Sequence, residues 1–526
     1  MIRLGTFLLL LLAAPAYGEQ GAQAVFNAPL ATSVYSTALA FMAPRTLDPV
    51  AVSQLTIWGL HGLTALDPDL AVELRDGVLR LSLPNHPLAS TAAPKTEDPA
   101  AWAAAATLLS TAAWDASARL RRAGTIGVVT NFFDEIFNHL DPYSRYVPPN
   151  EAGEDRARRS GSAGAGITLV ISGPAARNSG GSAILVQRVV SDGPAAAAGI
   201  RAGDAVLAVN GQPTRGVDLA TVAGWIAGPE DTRVAVTVRG REGRVRTLDV
   251  MRSTVPPDTV FAERLRDALL IRITEFDRET AARLQRTLSG ALGGAGATVH
   301  PVSGIILDLR GNPGGLVREA VGVADELLPA GAVASAVGRD LGATRIWRSD
   351  DAQLADDLPV VVMVDGRTAS AAEILTAALA DRGRAVVVGS ATLGKGLVQT
   401  IAPLPDGGEL FVTWSRVLAP RGWPLQGLGV LPQVCTSLGQ NVLQSQLDSL
   451  DQGIQPMAEA IARHRAARPP LPPAQAVAMR AACPAAEGSD ADVMAARFLI
   501  QHPVAYATAL LPPLRDDASV AGVGVR

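Results

Sequence analysis

Two apolar runs, separated by a stretch of helical spacing, dominate the pattern of hydrophobic and polar positions. Leu358–Val364 (LPVVVMV) is apolar throughout and stops at Asp365-Gly366, which predicts a buried strand running into a turn. Apolar positions then recur at helical spacing from Ser370 to Ala380, and a second β-branched run follows at Ala385–Val388. Strand, turn, helix and strand predict a βαβ unit of a parallel sheet. Ser370 falls at the turn where the helix begins, and Lys395 falls in a loop past the second strand, between Gly394 and Gly396. Both positions belong to the carboxyl edge of such a sheet, so the two side chains can meet.

The same pattern organises the flanks. Ala268–Ile273 predicts a strand and Glu279–Leu292 an amphipathic helix. Gly304–Gly315 predicts a buried strand running into a glycine-rich turn, DLRGNPGG, and another helix. The backbone N–H groups of such a turn suit a phosphate or an oxyanion, but the Gly-Lys-Ser/Thr of a nucleotide-binding loop is missing. Leu410–Trp414 and Arg416–Ala419 predict strands. Upstream, residues 19–150 read mainly as helices, with helical spacing in Val50–Leu66 and Ala100–Arg122 and a Pro-rich break at Pro84–Pro99. Glu151–Ala163, charged with Gly and Ser, reads as a linker. Residues 437–526 read as helical patches around Pro469–Pro473, with a Gly/Val-rich tail expected to fray. No internal repeat and no metal-ligand spacing is found, so neither cofactor nor metal is called for.

Composition narrows the class. A length of 526 residues allows three or four domains, and 48% hydrophobic residues supports large cores. A net charge of −4 argues against a nucleic-acid partner. Residues 1–18 (MIRLGTFLLLLLAAPAYG) have an early Arg, an apolar centre and small residues near Ala16 and Gly18, the pattern of a signal peptide. The run is shorter than the ~20 residues a membrane span needs, and Ala100–Ala118 is interrupted by Asp115. The expectation is an exported chain, periplasmic or secreted, without a stable membrane span once mature. Cys435 and Cys483, the two cysteines, are a candidate disulfide in an oxidising compartment; two unpaired thiols are the alternative.

Of the 46 Lys and Arg residues only Lys95 and Lys395 are lysines, which leaves 44 Arg. A chain that uses Arg almost everywhere has kept a Lys between two glycines, and a desolvated Lys can act as a general base where Arg cannot. A loop charge or a phosphate ligand is the competing reading. Ser370 likewise has two readings, since Ser370-Ala-Ala-Glu373 matches the capping box of a helix start. No Gly-x-Ser-x-Gly elbow is present, and the six His residues (61, 86, 139, 300, 464 and 502) lie outside this stretch. A Ser–His–Asp site could still assemble in space, but the scarcity of Lys favours a Ser–Lys pair.

TASAAEILTAALADRGRAVVVGSATLGKGLVQ resembles the active-site block of the tail-specific, or C-terminal processing, serine peptidases, and the resemblance extends over most of Leu140–Pro432. It implies a multidomain α/β chain: a crotonase- or Clp-protease-like βαβ core (258–436), an inserted mainly-β PDZ domain (164–253), and helical N- and C-terminal regions. It further implies Ser370 as nucleophile, Lys395 as base and Gln399 as the residue orienting the amine. Asp381 would be supporting. One oxyanion donor would come from the DLRGNPGG turn, at Gly315 with Gly314 as the near alternative, and the other from the Ala371 amide. Gly164-Ala165-Gly166-Ile167 resembles the carboxylate-binding loop of a PDZ domain, whose groove takes the C-terminal tails of protein substrates as an added strand. Phe137–Val147, with Asp141-Pro-Tyr-Ser-Arg-Tyr146, resembles the segment that precedes that domain, and Arg421–Pro432 the family's closing segment. Gln433 stands where the family usually has Asp. The helical N-terminal region suits packing, homo-oligomerisation or an adaptor, and the sequence does not choose. Two other functions compete with the peptidase: a catalytically silent PDZ scaffold, and a His-dependent small-ester hydrolase.

Overall fold

The computed structural model describes residues 25–513 apart from 161, 172–182, 191–192, 256–257, 267, 293–301, 351–352 and 356. The signal-peptide pattern, the Gly/Val-rich tail and His300 therefore lie outside the described residues. Contacts divide the chain into two units, residues 1–40 with 51–139, and residues 41–50 with 140–526. Among the described residues no helix is long and apolar enough to cross a membrane.

The first unit holds the helices Ala28–Met42, Val52–Leu66, Pro99–Ala116 and Ala118–Asn138. Helical spacing does not anticipate its three-stranded antiparallel sheet, Ala71–Arg75, Val78–Leu83 and His86–Ala92. The third strand occupies the stretch read as a Pro-rich break. The period-two alternation that drives this sheet is short, with only Leu79 and Leu81 buried on the middle strand. The tight turns fall at Asp76-Gly77 and Asn85, all at positive φ.

In the second unit, the six-stranded central sheet has the order Val260–Arg264, Leu269–Ile273, Ile305–Asp308, Val360–Val364, Ala385–Gly389, Val434–Cys435. The first pair is antiparallel and the others parallel. Alternate residues of each strand serve opposite faces. Val360, Val362 and Val364 pack under the helices Thr280–Leu292, Val317–Asp325 and Ala371–Asp381, while Val361 and Met363 pack against Leu443, Leu447, Leu499 and Ala505. Parallel strands need both faces covered, and burying each Leu or Val contributes about 1.5–3 kcal/mol. The C-terminal helices Gln440–Asp451, Asp490–Gln501 and Pro503–Ala509 supply the second face. The helical patches read from the sequence are thus integral to the core.

A second, antiparallel sheet runs Arg345–Ser349, Gly331–Gly338, Glu409–Leu418, Leu397–Pro403, with Arg145–Val147 added beside Glu409–Leu418. Gln399 therefore sits on a strand. The predicted strands 410–414 and 416–419 are one continuous strand, and most of the stretch read as a linker lies in the helix Pro149–Ser160, with Pro at its first position. A separate sheet is ordered Val245–Met251, Arg233–Arg239, Ala205–Val209, Ile184–Val189, Ile167–Ile171. Its apolar face closes over Val222 and Ile226 of the helix Leu219–Ile226.

Candidate active site

The strand Val360–Val364 delivers the chain into a turn held by Asp365, whose Oδ1 accepts from the amides of Gly311, Arg367 and Thr368 at 2.9, 3.0 and 3.0 Å. Ser370 follows as the N-cap of Ala371–Asp381, at φ 55° and ψ −119°. Positive φ at a residue with a Cβ is strained and persists only where its surroundings enforce it. Here Glu373 enforces it. The capping box predicted from Ser370-x-x-Glu373 is formed, with Glu373 Oε2 accepting from the Ser370 amide at 2.8 Å. The same oxygen accepts from the Lys395 amide at 2.8 Å, and Oε1 accepts from the Gly394 amide at 2.7 Å and from the Thr392 hydroxyl. Glu373 is fully buried. Burial pushes its carboxyl up and these hydrogen bonds pull it back down.

Ser370, Lys395, Gln399 and Gly315 line one cavity of about 540 Å³, with apolar walls from Ile374, Leu397, Ile401, Phe411 and Val417 and acids at Glu275, Asp277 and Asp155. Lys395 is half-buried, and its Nζ makes no hydrogen bond to another described residue, Ser370 Oγ included. Burial holds its amine below the usual lysine range; the Arg145 guanidinium adds to this and Glu373 opposes it. Gln399 Nε2 donates to Leu397 O at 3.2 Å and Thr413 Oγ1 at 3.1 Å, which leaves Oε1 as its available acceptor.

Gly314 and Gly315 have φ of 99° and 137°. A Cβ on Gly314 would lie 2.7 Å from Ser370 Cβ and 2.9 Å from Ala371 N, and one on Gly315 would lie 2.2 Å from Phe276 O. The Gly314 amide is committed to Asn312 Oδ1 at 2.8 Å. The Gly315 amide has no such partner among the described residues, and Gly315, not Gly314, lines the cavity. Ala371, the first helical residue, has no intrahelical acceptor for its amide.

The sequence missed how Asp141–Arg145 serves this cavity. Asp141 Oδ1 accepts from the Tyr143 and Ser144 amides at 3.0 and 3.1 Å, the turn its composition signals. The same oxygen accepts from Thr413 Oγ1 at 2.7 Å, so Asp141, Thr413 and Gln399 form one chain of hydrogen bonds. The Tyr143 ring centroid lies 5.0 Å from Lys395 Nζ. Arg145 lies over the Phe411 ring at 3.9 Å and lines the cavity. The DPYSRY spacing could signal the turn but not its distant partner Thr413.

Other candidates fall elsewhere. Asp381, at the far end of the Ser370 helix, accepts from Arg465 Nε at 2.7 Å and Trp423 Nε1 at 2.8 Å, away from the cavity. None of the described histidines lines the cavity; His464 is buried against Trp423. Gln433 pairs with Val387 through backbone and side chain, each at 2.9 Å. Cys435 and Cys483 form a disulfide. Just before the separate sheet, Gly164 ends the short strand Ser162–Gly164, which pairs with Ser253–Val255, and Ala165 is buried. Gly166 adopts φ 73°, and Ile167 opens the edge strand.

Residues 267–436 match the model of peptidase family S41 and residues 185–240 that of the PDZ domain. The chain is 30% identical over 310 residues to a carboxy-terminal-processing protease of Bartonella bacilliformis, covering 58% of this chain and 69% of the relative. It is 31% identical over 327 residues to a chloroplastic C-terminal processing peptidase of Tetradesmus obliquus, covering 59% and 68%. It is also 33% identical over 300 residues to a carboxyl-terminal-processing protease of Picosynechococcus, covering 56% and 69%.

Proposed function

The chain belongs to the carboxy-terminal-processing serine proteases of peptidase family S41, and from that premise we propose that Ser370 is its nucleophile and Lys395 its general base. The neutral Lys395 amine takes the proton from Ser370 Oγ as that oxygen bonds to the carbonyl carbon of the scissile peptide. The amides of Ala371 and Gly315 hold the developing oxyanion. The Lys395 ammonium then protonates the leaving amine as the C–N bond breaks. Water, deprotonated by the same amine, hydrolyses the acyl-enzyme and releases Ser370. Gln399 Oε1 orients the Lys395 amine, and Asp381 holds the helix without touching the reacting atoms.

The PDZ domain selects substrates, in this reading, by taking their C-terminal tails along the edge strand Ile167–Ile171, with the terminal carboxylate at Gly164–Ile167. The leader-like residues 1–18 direct export, which sequencing of the mature N-terminus would check.

The observation that carries the reading is one buried carboxylate, Glu373, bonded to the amides of both Ser370 and Lys395 beside a shared cavity. The test compares Ser370→Ala, Lys395→Arg and Lys395→Ala with the parent in peptide hydrolysis and in labelling by a fluorophosphonate. All three should be inactive, with no label on the Ser variant. Retained activity in Lys395→Arg would exclude the amine as the base.

A further inference from the structure

A second cavity, of about 660 Å³, lies in the C-terminal region between the helices Ala458–Ala466 and Pro503–Ala509. That volume is within the range of small-molecule sites. Its walls are apolar, from Ile461, Ala462, Ala466, Leu510 and Leu511, and its polar lining is Arg421, Arg465, Arg468, Gln455 and Thr508. Two of the three guanidinium groups share one carboxylate there. Asp381 lies 2.7 Å from Arg465 and 3.9 Å from Arg421, while Arg468 has no acidic partner among the described residues and donates only to the carbonyls of Arg465 and Ala467.

The unsatisfied groups point the same way. Arg465 is 7% exposed, and both its Nη1 and Nη2 lack a hydrogen-bond partner. Arg421 Nε and Gln455 Nε2 are also buried without one. All four are nitrogens that can only donate, so what they lack is an acceptor. Excess positive charge and orphaned donors beside apolar walls match a molecule with an anionic head and an unbranched apolar body.

We propose that this cleft binds a single-chain amphiphilic anion, with its carboxylate or phosphate head at Arg421, Arg465 and Arg468 and its acyl chain along Ile461, Ala462 and Leu511. A peptide fits less well. Helices and the segment Leu510–Pro512 line the cleft, so no open strand edge receives a peptide backbone, whereas an acyl chain has no polar groups to satisfy.

Calorimetric titration of the full chain, below the micellar threshold, tests this with dodecanoate, dodecyl phosphate and dodecyltrimethylammonium. One saturable site for an anionic amphiphile is expected, with the cationic one binding at least about tenfold more weakly. Comparison of the two anions identifies the head group. Arg468→Glu, which reverses an exposed charge, and Ala462→Trp, which fills the cleft from an exposed position, should each weaken the anion about tenfold. Peptide hydrolysis without ligand should stay at the parental rate. Equal binding of the cation, unchanged affinity in both variants, tighter binding of an apolar peptide with a free carboxylate, or binding seen only after removal of residues 514–526 would each overturn the proposal.

Discussion

Glu373 Oε2 accepts one hydrogen bond from the Ser370 amide and one from the Lys395 amide, both at 2.8 Å. The two proposed catalytic residues are 25 positions apart in the chain (395 − 370), yet a single carboxylate oxygen fixes both backbones. Glu373→Gln keeps the shape but turns one acceptor into an amide that faces N–H donors. Because it is fully buried, the misfit has no water to relieve it. The expected cost is about 3 kcal/mol in urea unfolding, with kcat down on the order of a hundredfold as the two side chains lose register. Parental kcat with parental stability would show that the clamp is dispensable.

The pH dependence follows from Lys395. Its folded-state pKa lies below the usual 10.5, first through burial and then through Arg145. A lowered lysine pKa means the folded chain binds fewer protons than the unfolded one between the two values. The Lys395 contribution to stability therefore rises with pH through that window and is unfavourable below it. Activity, which in the proposed mechanism needs the neutral amine, should rise through the lowered pKa. Arg145→Met removes a neighbouring positive charge, so the rising limb of kcat/KM should move to higher pH. A limb that stays put or moves lower would show that Arg145 does not act on the amine.

Gly314 is where the DLRGNPGG turn meets Ser370, the proposed nucleophile. In Gly314→Ala the new methyl would lie 2.7 Å from Ser370 Cβ, on a residue at φ 99°. The turn must retreat, carrying the Gly315 amide with it. If that amide is displaced as the proposed oxyanion donor, kcat should fall by about 10²–10³-fold, whereas KM should change little. A fall confined to KM would place the turn in substrate binding instead.

The βαβ unit around Ser370 was legible because its strands are buried on both faces and its helix follows a glycine-bearing turn, all local signals. The second sheet was only partly so. Gly331–Gly338 (GAVASAVG) and Arg345–Ser349 (RIWRS) are half-buried with weak alternation, and the pairing of the first with residues some 80 positions away, as Ser335 pairs with Leu418, leaves no mark in either partner. Glu373 was read as a capping residue because the spacing Ser-x-x-Glu shows only that half. Its bonds to Thr392, Gly394 and Lys395 require the fold to bring the next loop back. Asp141 was limited in the same way: its turn is local, and its acceptance from Thr413 is not.

Tail selection gives the last prediction. In its sheet the strand Ile167–Ile171 is hydrogen-bonded to Ile184–Val189 on one side only, so the other edge can receive a substrate strand. The loop before it depends on Gly166, whose φ of 73° disfavours residues with a branched side chain. Its carbonyl accepts from Val190 at 2.9 Å and that of Ala165 accepts from Ala195 at 2.9 Å, so the loop's carbonyls are tied back into the domain. Its amides are then the groups proposed to meet a terminal carboxylate, and amidating a substrate tail removes that charge. For one peptide offered as the free acid and as the amide, kcat/KM should fall about tenfold on amidation. Gly166→Val should lose the discrimination between the two forms while Ser370 still reacts with a fluorophosphonate at the parental rate. Equal cleavage of acid and amide by the parent chain would mean that the PDZ loop does not read the substrate's end.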